Sequence, residues 1–292
     1  MLSRRFHIDV VLFSFFFSII FCFCCAVVDN LLSFWVFLEL CGMSLIPSFF
    51  YVSNSSLQGF YSSLLSYIVM SGLSSVFLVS GIVISELYIF VVLGFVVKFG
   101  LFPFSMWVYR VFSGSNWVFI FLLSVVMKFP ILFFCYLLQS DYVLLIYGDC
   151  FFTILMCSCF LWFFSQSWEF VWCHISLSSV STLLVACFCS EFNVSCFIYF
   201  YYFFWAGACI IYFSFLNDSE GIKNSFWVYC FLLLITPLSL PLFYKISVCL
   251  AILYSSVYLL TIWCVYSFSE QFFLYKLASD YFYSSLFNGW SC

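Results

Sequence analysis

Residues 91–108 read VVLGFVVKFGLFPFSMWV. Lys98 stands in the middle of an apolar run, and Gly100 and Pro103 follow it within two turns. An ammonium group at bilayer depth costs about 2.5–3.5 kcal/mol on insertion scales, so a lysine there needs a reason. The same anomaly recurs at Lys128, in FIFLLSVVMKFPILFF (119–134), and at Lys245, in TPLSLPLFYKISVCLAIL (236–253). An acid, Glu39, sits in SFWVFLELCGMSLIP (33–47). The chain has only eight Lys and Arg in 292 residues, yet three of its lysines fall inside apolar stretches. Ionisable groups within a membrane usually face a bundle interior or a wet cavity and mark an ion or proton path.

Composition sets the fold class. The chain is 67% hydrophobic and 7% charged, far from the near-quarter charged content of a soluble domain. The expectation is an all-α, polytopic integral membrane protein. A span needs about 20 apolar residues, and on that criterion about ten or eleven spans are expected. They cover roughly 9–28, 32–52, 60–82, 87–105, 117–139, 143–164, 171–190, 195–216, 225–245 and 247–269, with a short last one at 271–288. The loops are a few residues long, so 1–292 reads as a single membrane domain. Arg4 and Arg5 ahead of an apolar run resemble a signal peptide. The run is too long and no small-residue cleavage site follows, so a retained first span is expected.

Two spans read as broken: KFGLFP after Lys98 and TPLSLP before Lys245. Proline removes a backbone donor and clashes with the preceding turn. Backbone unpaired at depth is tolerated only inside protein or beside a water-filled cavity. The interruptions fall in the fourth and ninth expected spans. Interrupted segments at matching positions point to transporter-like inverted repeats, here a first half at 32–164 and a second at 171–292. With the N-terminus inside, the inner loops carry Arg4, Arg5, Arg110 and Lys223. The outer loops carry Asp29, Glu86, Asp141 and Glu191 and no Lys or Arg, a positive-inside pattern.

Proton movement needs groups that titrate, water between them, and something that alters their proton affinity. Burial disfavours a charged form and an opposite charge nearby restores it. Glu39 and Lys98 are a mid-span acid and base on neighbouring elements; Lys128 follows on the next span and Lys245 lies in the second half. Together they read as a lateral row of bases. Plainer readings stand beside this one. Glu39 neutralises a structural lysine, Lys128 bonds carbonyls freed by Pro130, Lys245 snorkels from a span end, and Pro103 and Pro241 are simple kinks. His174 reads as a satisfied interior histidine, and Arg110 and Glu169 as solvated loop residues. Trp107, Trp117 and Trp168 read as interfacial anchors. The 17 cysteines lack zinc-site spacing and read as small apolar packers. No metal site is expected. There is no phosphate loop, nucleophile elbow or HExxH, and an acidic chain without a basic patch argues against nucleic acid.

These stretches together resemble the NADH dehydrogenase subunit 2 family, antiporter-like subunits of the membrane arm of respiratory complex I. The resemblance runs through Trp35, Glu39 and Pro47 in FWVFLELCGMSLIP, and through Lys98, Gly100, Pro103, Phe104, Trp107 and Val108 in VVKFGLFPFSMWVYRV. It continues at Lys128 and Pro130 in SVVMKFPILF, at Ser178 and Ser179 in SLSSVSTLL, and at Pro241 and Lys245 in TPLSLPLFYK. The lysine followed by FPF, and the later MKFP, are its most specific parts. It implies an ion pair between Glu39 and Lys98, a central relay base at Lys128 and a second-half lysine at Lys245. It also implies a proton-translocating subunit of NADH:ubiquinone oxidoreductase that binds no redox cofactor itself. NADH, FMN, iron–sulfur clusters and ubiquinone would belong to other subunits, and its partners would be other membrane-arm subunits and membrane lipids. Phe, Tyr, Trp, Leu, Val and Cys are favoured while His, Pro and Thr are scarce, as in a small organellar genome. The implied place is the mitochondrial inner membrane, N-terminus in the matrix, in the shortened animal form. Family histidines are replaced near Phe104 and Ser105 and around Thr182, and Glu169 and Trp172 stand where the family is often basic. The competing readings are a stand-alone cation/proton antiporter and a passive scaffold.

Overall fold

The computed structural model describes residues 2–51, 57–138, 143–218 and 226–282. Asp141, Lys223 and the end of the expected last span lie outside them, as do the side chains of Arg4 and Arg5. Every regular element among the described residues is helical. The helices are α1 (Leu2–Val27), α2 (Leu31–Leu45), α3 (Leu57–Val83), α4 (Ile89–Phe99), α5 (Met106–Ser113), α6 (Trp117–Ser124) and α7 (Phe129–Leu137). The series continues with α8 (Val143–Phe164), α9 (Trp168–Cys189), α10 (Phe192–Asp218), α11 (Phe226–Leu233), α12 (Leu240–Ile252) and α13 (Val257–Phe282).

Eight stretches are each at least 18 residues long and apolar enough to cross a bilayer. In lipid, backbone groups must be satisfied within the segment, which is why the crossings are helical. Two further crossings are interrupted: α4 with α5, and α11 with α12. Among the described residues this makes ten crossings, with the breaks in the fourth and the ninth. The boundaries of the last crossings differ from the sequence reading. The chain bends within 234–239, and α13 runs unbroken through 270, so residues 271–282 continue the helix rather than start a new span. Lys245 is therefore well inside α12 and not at a span end, which removes the snorkelling alternative.

Helix α9 is the axis of the bundle. It packs against α5, α7, α8, α10 and α12, and its residues from Val171 to Ala186 are all buried. It nevertheless contains Ser176, Ser178, Ser179, Ser181 and Thr182. Each of the last four hydroxyls donates to a carbonyl one turn back: Ser178 to Ile175, Ser179 to Ser176, Ser181 to Leu177 and Thr182 to Ser179. Such back-bonding satisfies a hydroxyl inside an apolar bundle. Large apolar side chains such as Phe16, Phe23, Leu65, Phe204 and Phe268 point outward, as expected for a surface facing lipid or other apolar helices.

Two close approaches set the first half. A Cβ on Gly81 would lie 2.6 Å from the backbone nitrogen of Val91, and one on Gly94 would lie 2.8 Å from that of Leu78. Small residues let α3 and α4 meet almost backbone to backbone, and that contact carries Lys98 toward Ser71. The cysteines among the described residues are free and many pack in the core. Cys22 and Cys41 place their Sγ atoms 3.3 Å apart, well beyond the ~2.05 Å of a disulfide.

Candidate functional site: a row of buried lysines

Lys98 closes α4. Its helix ends on Gly100, which has a left-handed backbone (φ 67°) and donates its N–H to the carbonyls of Val96 and Val97. The broken stretch is then tied from outside. The indole N–H of Trp107 donates to the Val97 carbonyl at 3.1 Å, and the N–H of Phe102 donates to Thr153 Oγ1 of α8 at 3.2 Å. Trp107 is thus a strut of the break and not an interfacial anchor; the crossing continues to Ser113 instead of ending at 105. Lys98 Nζ lies 2.6 Å from Glu39 Oε1, with side-chain exposures of 4% and 14%, and 3.2 Å from Ser71 Oγ. The expected acid–base pair is present.

Lys128 lies at a third interruption that the sequence reading did not anticipate. Residues Val126–Lys128 form a tight 3-10 turn between α6 and α7, because Pro130 cannot continue the amide ladder of α6. Carbonyls around the turn accept from tyrosines of α10: Tyr202 donates to Ser124 O and Tyr199 to Val125 O, each at 3.3 Å. The Lys128 backbone N–H also donates to Val125 O at 3.3 Å, but its side chain does not serve those carbonyls. Its Nζ donates across the bundle to Ser176 O at 2.9 Å, Ser179 Oγ at 2.5 Å and Tyr202 Oη at 2.8 Å. It also sits 4.2 Å from the centre of the Tyr202 ring. Among the described residues it has no carboxylate partner, so neutral dipoles and a ring face hold its charge.

Lys245 pairs with Glu270 of α13 at 2.8 Å, with side-chain exposures of 9% and 4%. The contact is an ion pair rather than an aligned hydrogen bond. Glu270 is the functional candidate missed from sequence. The signal was there: an acid within an apolar helix, on the crossing after a lysine-bearing broken one. It was hidden because Gln271, Lys276 and Asp280 make that helix look finished at 270. The ninth crossing is held open much as the fourth is. Trp205 Nε1 donates to Leu232 O at 2.8 Å, Gln271 accepts from the N–H of Ile235 at 2.8 Å, and Leu238 takes a left-handed backbone (φ 70°).

Two of the lysines share a cavity. It has a volume of about 30 Å³ and is lined by both Lys98 and Lys128, together with Ser124, Ser176 and Trp107. That exceeds the ~10–15 Å³ a buried water requires, and polar groups line it. Lys128 donates to Tyr202, whose ring packs on that of Tyr244 with centres 5.8 Å apart, and Tyr244 precedes Lys245 in sequence. His174 is interior as expected, but only half satisfied: Nδ1 meets the Tyr109 hydroxyl at 2.8 Å, while Nε2 has no partner among the described residues. Arg110 and Glu169 lie in helix ends, the last turn of α5 and the first of α9, rather than in loops. Among the described residues no three His, Cys, Asp or Glu side chains gather as a metal-binding group.

Fold and site together define a multi-pass helical membrane protein whose buried lysines sit at interrupted helices. No known family model and no curated protein matches the sequence. Among solved structures the fold is similar to a chain in the structure of respiratory complex I from Thermus thermophilus with bound aureothin. The TM-score is 0.71 over 90% of this chain and 67% of that chain, at 14% sequence identity.

Proposed function

We propose that the chain is a proton-translocating membrane subunit. Within that class we place it as the antiporter-like subunit 2 of the membrane arm of respiratory complex I (NADH:ubiquinone oxidoreductase). It would work beside other membrane-arm subunits and lipids, in the mitochondrial inner membrane with its N-terminus in the matrix. The observation that carries the reading is the row itself. Glu39–Lys98 leads to a water-sized cavity, then to Lys128, then through Tyr202 and Tyr244 to Lys245–Glu270. The two end lysines hold carboxylates and the central one holds only neutral groups. A proton can be relayed only between groups that titrate and lie within hydrogen-bond or one-water reach; the stretch from Glu39 to Tyr202 supports both conditions, and the step from Tyr202 to the Lys245–Glu270 pair would need water between them. The fold likeness to a complex I chain supports the assignment. NADH oxidation and ubiquinone reduction would take place on other subunits, and this chain would contribute translocation without a redox site. The two broken crossings would mark the two inverted halves.

The test is migration of the native protein. The reading predicts that it runs with a very large NADH-oxidising assembly on a native gel. A protein that migrates alone, apart from NADH oxidation, would overturn the subunit assignment and favour an independent cation/proton antiporter.

A further inference from the structure

A groove of about 990 Å³ opens between α1, α6 and α10, apart from the lysine row. One end of it is apolar. Phe15, Phe121 and Phe203 form a floor there, with neighbouring ring centres 6.2 Å and 5.9 Å apart, and Phe204 and Ile211 stand more than half exposed beside it. The other end is polar and is built from helix ends. Ser113 closes α5, Asn116 precedes α6, Glu169 lies in the first turn of α9 and Asn217 in the last turn of α10. In the ten-crossing order all four ends share the side of the N-terminus. The groove therefore runs from a polar rim at the bilayer surface into the hydrocarbon, the same polarity as a phospholipid.

The rim selects the headgroup. Each serine hydroxyl there has spent its proton on a carbonyl one turn back: Ser113 on Arg110, Ser115 on Phe112 and Ser214 on Ile211. What these oxygens have left is lone pairs. Asn116 is committed as well. Its Nδ2 donates to Ser48 O at 2.8 Å and Tyr51 O at 3.0 Å, and its Oδ1 accepts from the Phe119 N–H at 2.8 Å. Glu169, partly buried, adds a carboxylate. Among the described residues no Lys or Arg lines the groove, and the two salt bridges lie elsewhere. An acceptor-rich rim with one negative charge matches a primary ammonium, which carries a positive charge and three N–H donors. An anionic headgroup would call for Lys or Arg, and a quaternary ammonium has no N–H to give. The Trp117 indole N–H and the Asn217 amide also line the groove and supply donors for a phosphate.

Size separates a lipid from a partner helix. A helix about 10 Å across that filled this volume would be only about 13 Å long, less than half of the ~30 Å hydrocarbon core. We propose that the groove binds one phosphatidylethanolamine molecule. Its ammonium meets Glu169 and the serine oxygens, its phosphate meets Trp117 and Asn217, and an acyl chain covers the floor of Phe15, Phe121 and Phe203. The lipid braces α6 against α10, where a Cβ on Gly207 would already lie 3.5 Å from Phe121.

The test uses the intact native assembly in nanodiscs holding equal phosphatidylethanolamine and phosphatidylcholine. A high-resolution map should show one phospholipid in the groove, its headgroup nitrogen within about 3.2 Å of a Glu169 oxygen. A helix of another subunit, a segment of this chain, or a groove without an ordered lipid overturns the site. Retention is then counted by mass spectrometry after detergent washing. Glu169→Gln should lower the preference for phosphatidylethanolamine over phosphatidylcholine at this site by about three-fold, the scale of a partly exposed ion pair. An unchanged preference, or a native site filled by phosphatidylcholine or cardiolipin, overturns the headgroup assignment. Gly207→Leu fills the groove and should release the lipid whatever its headgroup. Should Glu169→Gln fail to assemble, Gly207→Leu and the native map decide. If the native protein migrates alone, the same retention is measured on it, so failure of the subunit reading and failure of the lipid site are separate results.

Discussion

Removing one member of the Lys245–Glu270 pair should be far more damaging than removing both. In Lys245→Met the Glu270 carboxylate, 4% exposed, loses the cation 2.8 Å away. Breaking a buried pair by deleting one partner costs about 3–5 kcal/mol, because an uncompensated charge remains. At 1.4 kcal/mol per decade, that is about two to three and a half orders of magnitude in the folding equilibrium. Replacing both partners by neutral groups of similar size is often close to neutral. The double variant Lys245→Met/Glu270→Gln should therefore recover most of the loss. The assay is unfolding free energy in mixed micelles for the native protein, both single variants and the double. The coupling should be about 2 kcal/mol or more, within the range seen for residues in contact. Additive losses, with the double variant as unstable as the sum of the singles, would refute the pairing and the placement of Glu270 on the inner face of α13.

Three other outcomes follow from the same geometry. Glu39→Gln should leave Lys98 with Ser71 as its neutral partner and cost about 3 kcal/mol, whereas Glu39→Gln/Lys98→Met should be closer to native; unfolding in micelles reads both. Gly100→Ala puts a side chain at φ 67° and a Cβ 2.3 Å from Val108 Cγ2, so it should destabilise the broken crossing by more than the ~1–2 kcal/mol of left-handed strain alone, measured as lower thermal stability of the folded protein. A cysteine at Arg110 should react with an impermeant thiol reagent only from the side of the N-terminus, and one at Glu86 only from the other side; labelling of both from one side contradicts the ten-crossing order.

The fold class and four of the five charged positions were legible because a charge in an apolar run has no ordinary explanation. Glu39, Lys98, Lys128 and Lys245 stand out against tens of neutral neighbours, and the partner of Lys98 could be named because Glu39 is a mid-span acid on a neighbouring element, whereas Asp29 and Glu86 fall between spans. Glu270 was not legible by that contrast, since Lys276 and Asp280 on the same helix blunt it. Pro130 pointed to unpaired carbonyls near Lys128, but not to the 3-10 turn at Val126–Lys128 or to the groups that bond them. The donors are tyrosines of α10, 74 and 78 residues away in sequence, and no local pattern names them. Trp107 misled for a related reason: an aromatic near an expected span end looks like a membrane anchor until the crossing proves longer. The pairing across α9 depends on which faces of five helices meet, and helix periodicity is weak when every face is apolar.

The central claim is that protons pass along the lysine row, and Lys128→Met tests it most directly. The substitution removes the ammonium and its three hydrogen bonds, each of the ~1.5–3 kcal/mol kind made by charged groups. It also removes the several-kcal/mol penalty of burying an unpaired ion. The acceptors keep other partners, since Ser179 still donates to Ser176 O and Tyr202 to Ser124 O. Net stability should therefore change little and the NADH-oxidising assembly should form. Proton uptake per NADH oxidised, measured on that assembly in sealed vesicles, should fall, or turnover should slow with it. Full uptake at full turnover in a normally assembled Lys128→Met complex would contradict the relay.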